Sequence, residues 1–256
     1  MTKRIKIIGI GAGDPNYLTV QAIDALNEVD VFFLMDKGPS KDKLISIRRE
    51  ICRRFIRPDR AHRFVDAASP ERERDAADYA ASIDDLNARK QAVFERLIGD
   101  ELRDGECGGF LTWGDPALYD STIRIVGDIA DSGRHEIDWE VIPGVTSLQA
   151  LAAKHRTTLN TVGRAVEITT GRRLKGFSED ADTIAVMLDA EHAYRRLQGE
   201  DVEIFWGAYV GTEDEILVSG RLSEVADEIE RVRTEARARH GWIMDSYLLR
   251  KRSPEA

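Results

Sequence analysis

Three short stretches, each at the point where an apolar strand-like run gives way to a helical pattern, constrain the fold of this chain most. They read GIGAGDPNYLT (residues 9–19), GDPALYD (114–120) and IPGVTSLQAL (142–151). Glycine and proline allow the sharp turns that such junctions need. In an α/β fold the ligand crevice forms at the carboxyl ends of the strands. The three stretches therefore predict an α/β protein whose ligand site is built from strand-end loops.

Length and composition indicate a globular protein with a substantial core. The 256 residues, 42% hydrophobic and 32% charged, are enough for one large or two modest domains. No apolar run approaches the roughly 20 residues that cross a bilayer. The opening MTKRIKIIGIGAG is interpreted as a first strand and not as a signal peptide, because it runs straight into a glycine loop.

The net charge and the positions of the cysteines and histidines limit the classes of partner and ligand that are expected. The net charge of −9 disfavours a general nucleic-acid binder. Cys52 and Cys107 lack metal-ligand spacing and predict a reducing compartment, the cytoplasm. The five histidines show no H-x-x-x-H or H-E-x-x-H spacing, so no metal site is predicted.

The order of strand-like and helical patterns predicts two α/β domains, residues 1–142 and 143–256. The first should contain a mostly parallel sheet. The second should contain a mixed sheet, because several of its strand-like runs are joined by connections too short for a crossover helix. A long helix is predicted over residues 74–102, with a break near 82–84.

An arginine-rich segment stands out in this acidic chain. Residues 48–63 (RREICRRFIRPDRAHR) hold seven arginines and one histidine. The simplest interpretation is a solvated helix face. The alternative is a docking surface for a polyanionic ligand or a partner.

Each loop also has an interpretation that involves no ligand. The first loop is G-x-G-x-G-D and not the G-x-G-x-x-G of a dinucleotide site, and Asp14 would repel a pyrophosphate. It could be a plain strand–helix turn. The other two could be capped helix starts, with Asp115 on the amides that follow it and Thr146 or Ser147 as the cap of the next helix.

In this order and at about these separations, the three stretches resemble the tetrapyrrole methylases, S-adenosylmethionine-dependent enzymes of cobalamin, sirohaem and related pathways. The family patterns GxGPGDPxLLT, GDPxLY and IPGxxS correspond here to GIGAGDPNYLT, GDPALY and IPGVTS. Two later stretches, ITTGRRLKG and TIAVML, resemble the family more loosely, and the resemblance covers nearly the whole chain. Ala12 replaces the usual proline, and Arg172 stands where many relatives have histidine.

Within that family the chain is most similar to the deacetylating members. The features that carry this similarity are WGDPALYDST, the arginine-rich insertion before the Gly-Asp-Pro loop, and EITTGRR. The resemblance implies methylation of precorrin-5 at C-1, with the extruded two-carbon unit leaving as acetate. It also implies a homodimer.

The resemblance further implies which residues hold each ligand, with the ligand cleft between the two domains. S-adenosylmethionine is expected on Gly114, Asp115, Leu118, Tyr119, Thr146, Ser147, Met187 and Ala208. The carboxylate-rich tetrapyrrole is expected on Gly11, Gly13, Asp14, Arg172, Arg173 and Lys175, since the arginine fork can bond both carboxylate oxygens. Asp14 is the first candidate for the base that activates water in deacetylation, and Tyr119 and His155 are further candidates.

Three alternatives stay open at this point. Another methylase of the same family could act on a different precorrin or on uroporphyrinogen. A non-catalytic protein could hold a tetrapyrrole or S-adenosylmethionine without turnover, although the intact Gly-Asp-Pro and Ile-Pro-Gly loops favour an enzyme. A nicotinamide-dependent oxidoreductase is disfavoured by Asp14.

Overall fold

The structure, a computed structural model, describes residues 2–36, 38, 42–70 and 79–252. These divide into two compact units. The first comprises the chain up to Gly11 and the segment Pro15–Val145, and the second comprises Ala12–Asp14 and the chain from Thr146 onward.

The first unit is a doubly wound α/β unit. Its elements are β1 (Lys3–Gly9), α1 (Val20–Leu26), β2 (Val31–Asp36), α2 (Asp42–Phe55), β3 (Arg63–Ala68), α3 (Tyr79–Arg96), β4 (Cys107–Thr112), α4 (Thr122–Asp131) and β5 (Ile137–Ile142). The five strands form one sheet in the order β3-β2-β4-β1-β5, and all neighbours are parallel. The loops after β1 and β4 therefore leave the same edge of the sheet side by side.

Helices cover both faces of this sheet, which explains why β2 and β4 are almost continuously apolar. Ile5 and Ile7 of β1 pack in the cluster that contains Phe94 of α3 and Ile125 of α4. Ile8 packs on the opposite side, in the cluster formed with α1 and α2. Because both faces of the sheet are apolar, a layer of helices packs on each face. The loops at the strand ends lie between these two helix layers.

The second unit contains a mixed sheet. Its elements are α5 (Ser147–Lys154), β6 (Ala165–Thr170), β7 (Ala181–Met187), β8 (Val202–Ala208), β9 (Ile216–Arg221), α6 (Leu222–His240) and β10 (Asp245–Lys251). The strand order is β6-β7-β10-β8-β9, with β6 and β7 parallel and the other pairs antiparallel. Trp206, Tyr194 and Tyr247 are its largest fully buried side chains. The carboxyl ends of β6, β7 and β8 consequently lie at one edge.

The predicted fold class is confirmed, a parallel first sheet and a mixed second one, while two details were wrong. The strand β3 was not predicted, because its sequence RFVDAA is short and mostly half-buried and it pairs only with β2 at the sheet edge. The helix α3 runs through residues 82–84 without the predicted break and continues as a wider turn over Leu97–Glu101. The predicted start of this helix at residue 74 lies outside the described residues.

Candidate functional site

The loops after β1 and β4 form one backbone assembly. The Gly114 N–H donates to the Gly11 carbonyl at 2.8 Å, and the Gly11 N–H donates to the Gly114 carbonyl at 3.2 Å. Both glycines adopt left-handed backbone, with φ of +74° and +68°. Because other residues reach that region only at a cost, glycine is required at both positions for conformational reasons. The first two sequence motifs therefore meet as predicted for strand-end loops.

Asp115 connects the second loop to the third. Its Oδ2 accepts the Gly144 N–H at 2.8 Å, and its Oδ1 accepts the Ala117 N–H at 2.8 Å. The capping interpretation of Asp115 is therefore correct for one oxygen, and the other oxygen holds the Ile-Pro-Gly loop. Both carboxylate oxygens accept backbone N–H groups, so this side chain positions the loops.

Gly144 lies where three loop backbones touch. A Cβ atom on this residue would come within 2.2 Å of the Gly114 carbonyl oxygen and within 2.9 Å of the Gly9 Cα. A Cβ on Gly9 would likewise come within 2.7 Å of the Gly144 nitrogen. Gly9 and Gly144, from two motifs, are thus required by one close contact, and the third motif takes part in it through the Gly114 carbonyl oxygen.

Thr146 begins α5 as the predicted cap. Its Oγ1 accepts the Gln149 N–H at 3.3 Å, and the Gln149 Oε1 accepts the Thr146 N–H at 2.8 Å, which forms a capping box. Ser147 is the first residue of the helix. The residue that caps the end of this helix is His155, whose Nε2 lies 3.0 Å from the Trp206 carbonyl oxygen, and burial lowers the pKa of this ring.

In the second unit the structure brings Met187 and Ala208 to the same edge. Met187 is the last residue of β7 and pairs with Ser246, while Ala208 is the last residue of β8 and pairs with Asp245. They therefore flank the start of β10, about two strand spacings (roughly 10 Å) apart. Met187 is half-buried and Ala208 is fully buried, so Ala208 offers mainly its backbone.

Strained backbone marks these predicted positions. Tyr119 has φ +53°, Leu188 follows Met187 with φ +53°, and Tyr209 follows Ala208 with φ +50°. They are three of the five non-glycine residues with positive φ in the described part of the chain. Such conformations cost about 1–3 kcal/mol each and concentrate at functional sites. Two of these side chains are also unusually exposed for their size, Tyr119 by 46% and Leu188 by 65%.

The predicted tetrapyrrole-binding cations follow β6. Thr170, the last residue of β6, pairs with Met187, so the turn Gly171–Arg173 leaves from the same edge of the second sheet. Arg172, Arg173 and Lys175 are exposed, whereas Leu174 between them is buried in the core. The buried leucine fixes the turn and leaves the three cations on the surface.

Gly13 and Asp14 are grouped with the second unit although they lie early in the chain. Gly13 has φ +133°, and a Cβ there would come within 2.6 Å of the Thr212 Cγ2. Asp14 is half-buried. The first motif thus divides between the two units, with Gly11 in one and Asp14 in the other.

A buried polar network beside Met187 was missed by sequence reasoning. The Arg233 guanidinium donates to the Asp245 Oδ2 at 2.8 Å, to the Asp189 carbonyl at 2.6 Å and to the His192 Nε2 at 2.8 Å. The Tyr247 hydroxyl donates to the Asp189 Oδ2 at 2.7 Å. Burial and the neighbouring guanidinium lower the pKa of His192, which keeps the ring neutral as an acceptor. The network anchors the end of β7 to the start of β10; its only sequence signal was aspartate next to apolar strand residues.

The arginine-rich segment separates into paired surface arginines and one inward residue. Arg49 pairs with Asp66 at 2.7 Å, Arg60 with Asp30 at 2.6 Å and Arg63 with Glu106 at 2.9 Å. These contacts support the solvated-surface interpretation for this part of the segment. Arg48 instead donates from Nε to the Leu111 carbonyl at 3.0 Å, at the end of β4.

The described residues contain neither a cluster of metal-ligating side chains nor a membrane-spanning helix. No group of three or more His, Cys, Asp or Glu side chains in them could hold a metal ion. None of their helices has the length and apolar character to span a bilayer. Both cysteines are buried and unpaired.

Comparison with known proteins gives consistent matches along the chain. The family model described as Tetrapyrrole (Corrin/Porphyrin) Methylases matches residues 4–226. The chain is 51% identical over 251 residues to precorrin-6A synthase (deacetylating) of Sinorhizobium sp., covering 97% of this chain and 95% of that protein.

Solved structures agree in fold. A cobalamin-synthesis-related protein (CobF) of Corynebacterium diphtheriae superposes with a TM-score of 0.82 at 32% identity, covering 98% of this chain and 99% of that one. A uroporphyrin-III C-methyltransferase of Thermus thermophilus, solved with S-adenosyl homocysteine, superposes with a TM-score of 0.59 at 19% identity, covering 96% and 91%.

Proposed function

The chain belongs to the tetrapyrrole (corrin/porphyrin) methylase family, and from that premise we propose that it is an S-adenosylmethionine-dependent C-methyltransferase of corrin biosynthesis. The reaction proposed is methylation of precorrin-5 at C-1 with release of acetate, giving precorrin-6A. The observation that carries this proposal is the 51% identity to a deacetylating precorrin-6A synthase over almost the full length of both chains. The WGDPALYDST and EITTGRR stretches point to the same subgroup.

The strand-end residues fit a methyl donor of this kind. Most large apolar side chains among the described residues are buried, yet Tyr119 and Leu188 are exposed just after strands, on left-handed backbone. An exposed aromatic or aliphatic side chain suits a planar adenine ring, and the backbone groups beside Met187 and Ala208 suit its polar edges. S-adenosylmethionine, when bound, supplies an electrophilic methyl group on a sulfonium.

We propose that Gly114, Asp115, Leu118, Tyr119, Thr146, Ser147, Met187 and Ala208 hold this donor. Methyl transfer to carbon is an in-line displacement, so the main task of the protein is to fix the donor, align the acceptor carbon and exclude water. The interlocked glycine loops serve that task, because Asp115 ties two of them through N–H groups at 2.8 Å. The side chain of Asp115 would thus act by positioning the loops, and the loop backbone would make the contact with the donor.

We propose that Gly11, Gly13, Asp14, Arg172, Arg173 and Lys175 serve the tetrapyrrole. The three exposed cations suit its carboxylates, and arginine can bond both oxygens of one carboxylate. In deacetylation water adds to the acetyl carbonyl carbon while a base accepts the water proton. The carbon–carbon bond to the macrocycle then breaks, the electron pair of that bond stays on the conjugated macrocycle, and the two-carbon unit leaves as acetate. Asp14 is proposed as that base, and Tyr119 as a further candidate.

A cytoplasmic location, a homodimeric state and independence from a metal ion are also proposed. They are supported by the two unpaired, buried cysteines and by the family resemblance. Sedimentation equilibrium tests the dimer, and activity after dialysis against a chelator tests the metal.

Mass spectrometry of an anaerobic incubation tests the reaction. The protein is mixed with S-adenosylmethionine and enzymatically generated precorrin-5. One methyl group gained by the macrocycle, together with one acetyl group lost and free acetate, is the expected result. Methylation without acetate release would identify a different methylase of the family. Absence of methyl transfer together with tight S-adenosylhomocysteine binding would point to another tetrapyrrole substrate or to a binding protein.

Asp14→Asn tests the proposed base. The variant should retain methyl transfer and slow acetate release by about a hundredfold, the usual contribution of a general base. Asp24→Asn, on the exposed surface of α1, is the matched control and should behave as the wild type. Unchanged acetate release by a well-folded Asp14→Asn variant would remove this residue from the mechanism.

A further inference from the structure

The first unit contains a cavity that none of the proposed ligand residues lines. Its wall is built by the ends of β2 and β4, by α2 and α3, and by the start of α4. The cavity therefore opens at the carboxyl ends of parallel strands, where α/β folds bind their ligands.

Two cations are found among the described residues that line the cavity. Arg48 enters from α2 and is held there by hydrogen bonds from Nε to the Leu111 carbonyl at 3.0 Å and from Nη1 to the Leu44 carbonyl at 2.9 Å. Those bonds use two of the five guanidinium N–H groups. Lys90 enters from α3, and within the described chain its ammonium group has neither a hydrogen bond nor an ion pair.

Within the described part of the chain, these two cations share a single acidic neighbour. Among the described residues of the wall, Asp120 is the one acid, and its Oδ1 already accepts the Thr122 N–H at 2.7 Å. Burial lowers the pKa of Arg48 to about 10 and lowers the pKa of Lys90, and the Asp120 carboxylate opposes both shifts only in part. Half-buried cations with few acceptors favour an anionic ligand.

The rest of the wall is apolar and aromatic. The rings of Phe94 and Phe110 stack with centroids 4.4 Å apart, and Phe33 lies against Phe110 at 4.9 Å. Met35 completes this side. A ligand that fills the cavity would therefore need a carbon skeleton as well as an anionic group, which excludes a bare inorganic anion as the best fit.

We propose that this cavity binds an organic carboxylate, with its carboxylate group between Arg48 and Lys90 and its carbon skeleton against the phenylalanine wall. Two sources have this chemistry, a carboxylate arm of the tetrapyrrole substrate and a small free carboxylate. The first source rests on the proposed function, and the second does not.

The direct test uses 3-phenylpropionate as the probe and its uncharged amide as the matched ligand. Ligand-observed NMR titration should show that the acid binds and the amide binds much more weakly. Lys90→Gln should weaken binding of the acid by about tenfold or more, the usual effect of losing one charge-assisted contact. Arg53→Gln removes an exposed arginine from the same helix as Arg48, outside the cavity, and should leave binding unchanged.

A second variant changes affinity in the opposite direction. Asp120→Asn keeps an oxygen for the Thr122 N–H and removes the repelling charge, so the acid should bind about threefold more tightly. A purely structural role for these residues would not produce opposite shifts in Lys90→Gln and Asp120→Asn. Equal binding of acid and amide, or wild-type binding by Lys90→Gln, would overturn the proposal.

Steady-state kinetics separates the two sources. If the ligand is a substrate arm, Lys90→Gln should raise the KM for precorrin-5 by about tenfold with little change in kcat. If Lys90→Gln loses probe binding while KM is unchanged, the cavity takes a free carboxylate. Failure of the methyltransferase assay itself would leave the probe titration, and hence the cavity proposal, unaffected.

Discussion

Gly144→Ala is the substitution for which the loop packing makes the sharpest prediction. The backbone φ of Gly144 is not in the left-handed region, so alanine meets no conformational penalty there. The whole effect on stability must therefore come from steric overlap between the new Cβ atom and its neighbours. The new Cβ would lie 2.2 Å from the Gly114 carbonyl oxygen and 2.9 Å from two backbone atoms of Gly9. None of these atoms belongs to a flexible side chain that could turn away.

The size of the effect follows from what must move. An ordinary carbon–oxygen contact is roughly 3.3 Å, so the loops must separate by about 1 Å. Gly114 is tied to Gly11 by two hydrogen bonds, and Gly144 is tied to Asp115 by one at 2.8 Å. Overpacking costs about 1–3 kcal/mol, and a weakened bond to a carboxylate adds about 1 kcal/mol or more. Allowing for the smaller entropy of the unfolded alanine chain, we expect a net loss of about 3 kcal/mol.

Urea unfolding followed by circular dichroism measures this loss, and calorimetry should show Tm lowered by roughly 6–12 °C. The control is Gly127→Ala in α4 of the same unit, where the new Cβ would lie 3.7 Å from the nearest atom, Trp139 Cζ2. Alanine inside a helix should leave stability unchanged or raise it by about 0.5–1 kcal/mol. If Gly144→Ala were as stable as Gly127→Ala, the three loops could not be packed as described.

Other polar and buried groups give further expected outcomes. Asp115→Asn should lower the free energy of unfolding by about 1–2 kcal/mol, because one of the two N–H groups that Asp115 accepts loses its acceptor. Asp131→Asn, on the surface, should leave the free energy of unfolding unchanged. Equal free energies for the two variants would contradict the bridging role of Asp115. The pKa of His192 is below its ordinary 6.5 in the fold, so the unfolded chain binds more protons and stability should fall as pH drops from about 7.5 to about 5.5. His192→Asn, which tolerates the left-handed backbone there, should flatten that slope, and an unchanged slope would contradict the assignment. Burial raises the pKa of Cys52 to about 12 and of Cys107 to about 11, so both thiols should resist a thiol reagent near pH 8 until denaturant is added; rapid labelling of the native protein would refute their burial.

Much of the fold could be predicted because its signals are local. Nearly continuous apolar runs indicate strands covered on both faces, and short connections in the second half indicate antiparallel pairs. The start of the helix α5 was predicted at Thr146 or Ser147, and Thr146 is its cap. The edge strand β3 was missed, because its pairing with β2 compensates for a sequence with little apolar pattern.

The candidate site was predictable as a set of loops but not as a set of contacts. Turn chemistry located Gly11, Gly114 and Gly144, but the backbone contact that requires the third of these glycines joins residues far apart in the chain. The same holds for Asp115, which the sequence presents as a helix cap and the fold also uses as a bridge. The buried network of Arg233 could not be foreseen, since its partners lie in the connection after β7 and at the start of β10, far from Arg233 in the sequence.

The arginine-rich segment shows most clearly what the sequence determined and what only the tertiary structure decided. The sequence by itself established a basic stretch with the period of a helix in an acidic chain. Which arginine is neutralised depends on the acids that the parallel sheet places beside it, as Asp30 does for Arg60 and Glu106 for Arg63. Arg48 differs only because the end of β4 presents a carbonyl to it at the wall of a cavity. The interaction energy between two charges decreases with the distance between them. The environment of an ionised side chain is therefore set by its neighbours in space and not by its neighbours in the sequence.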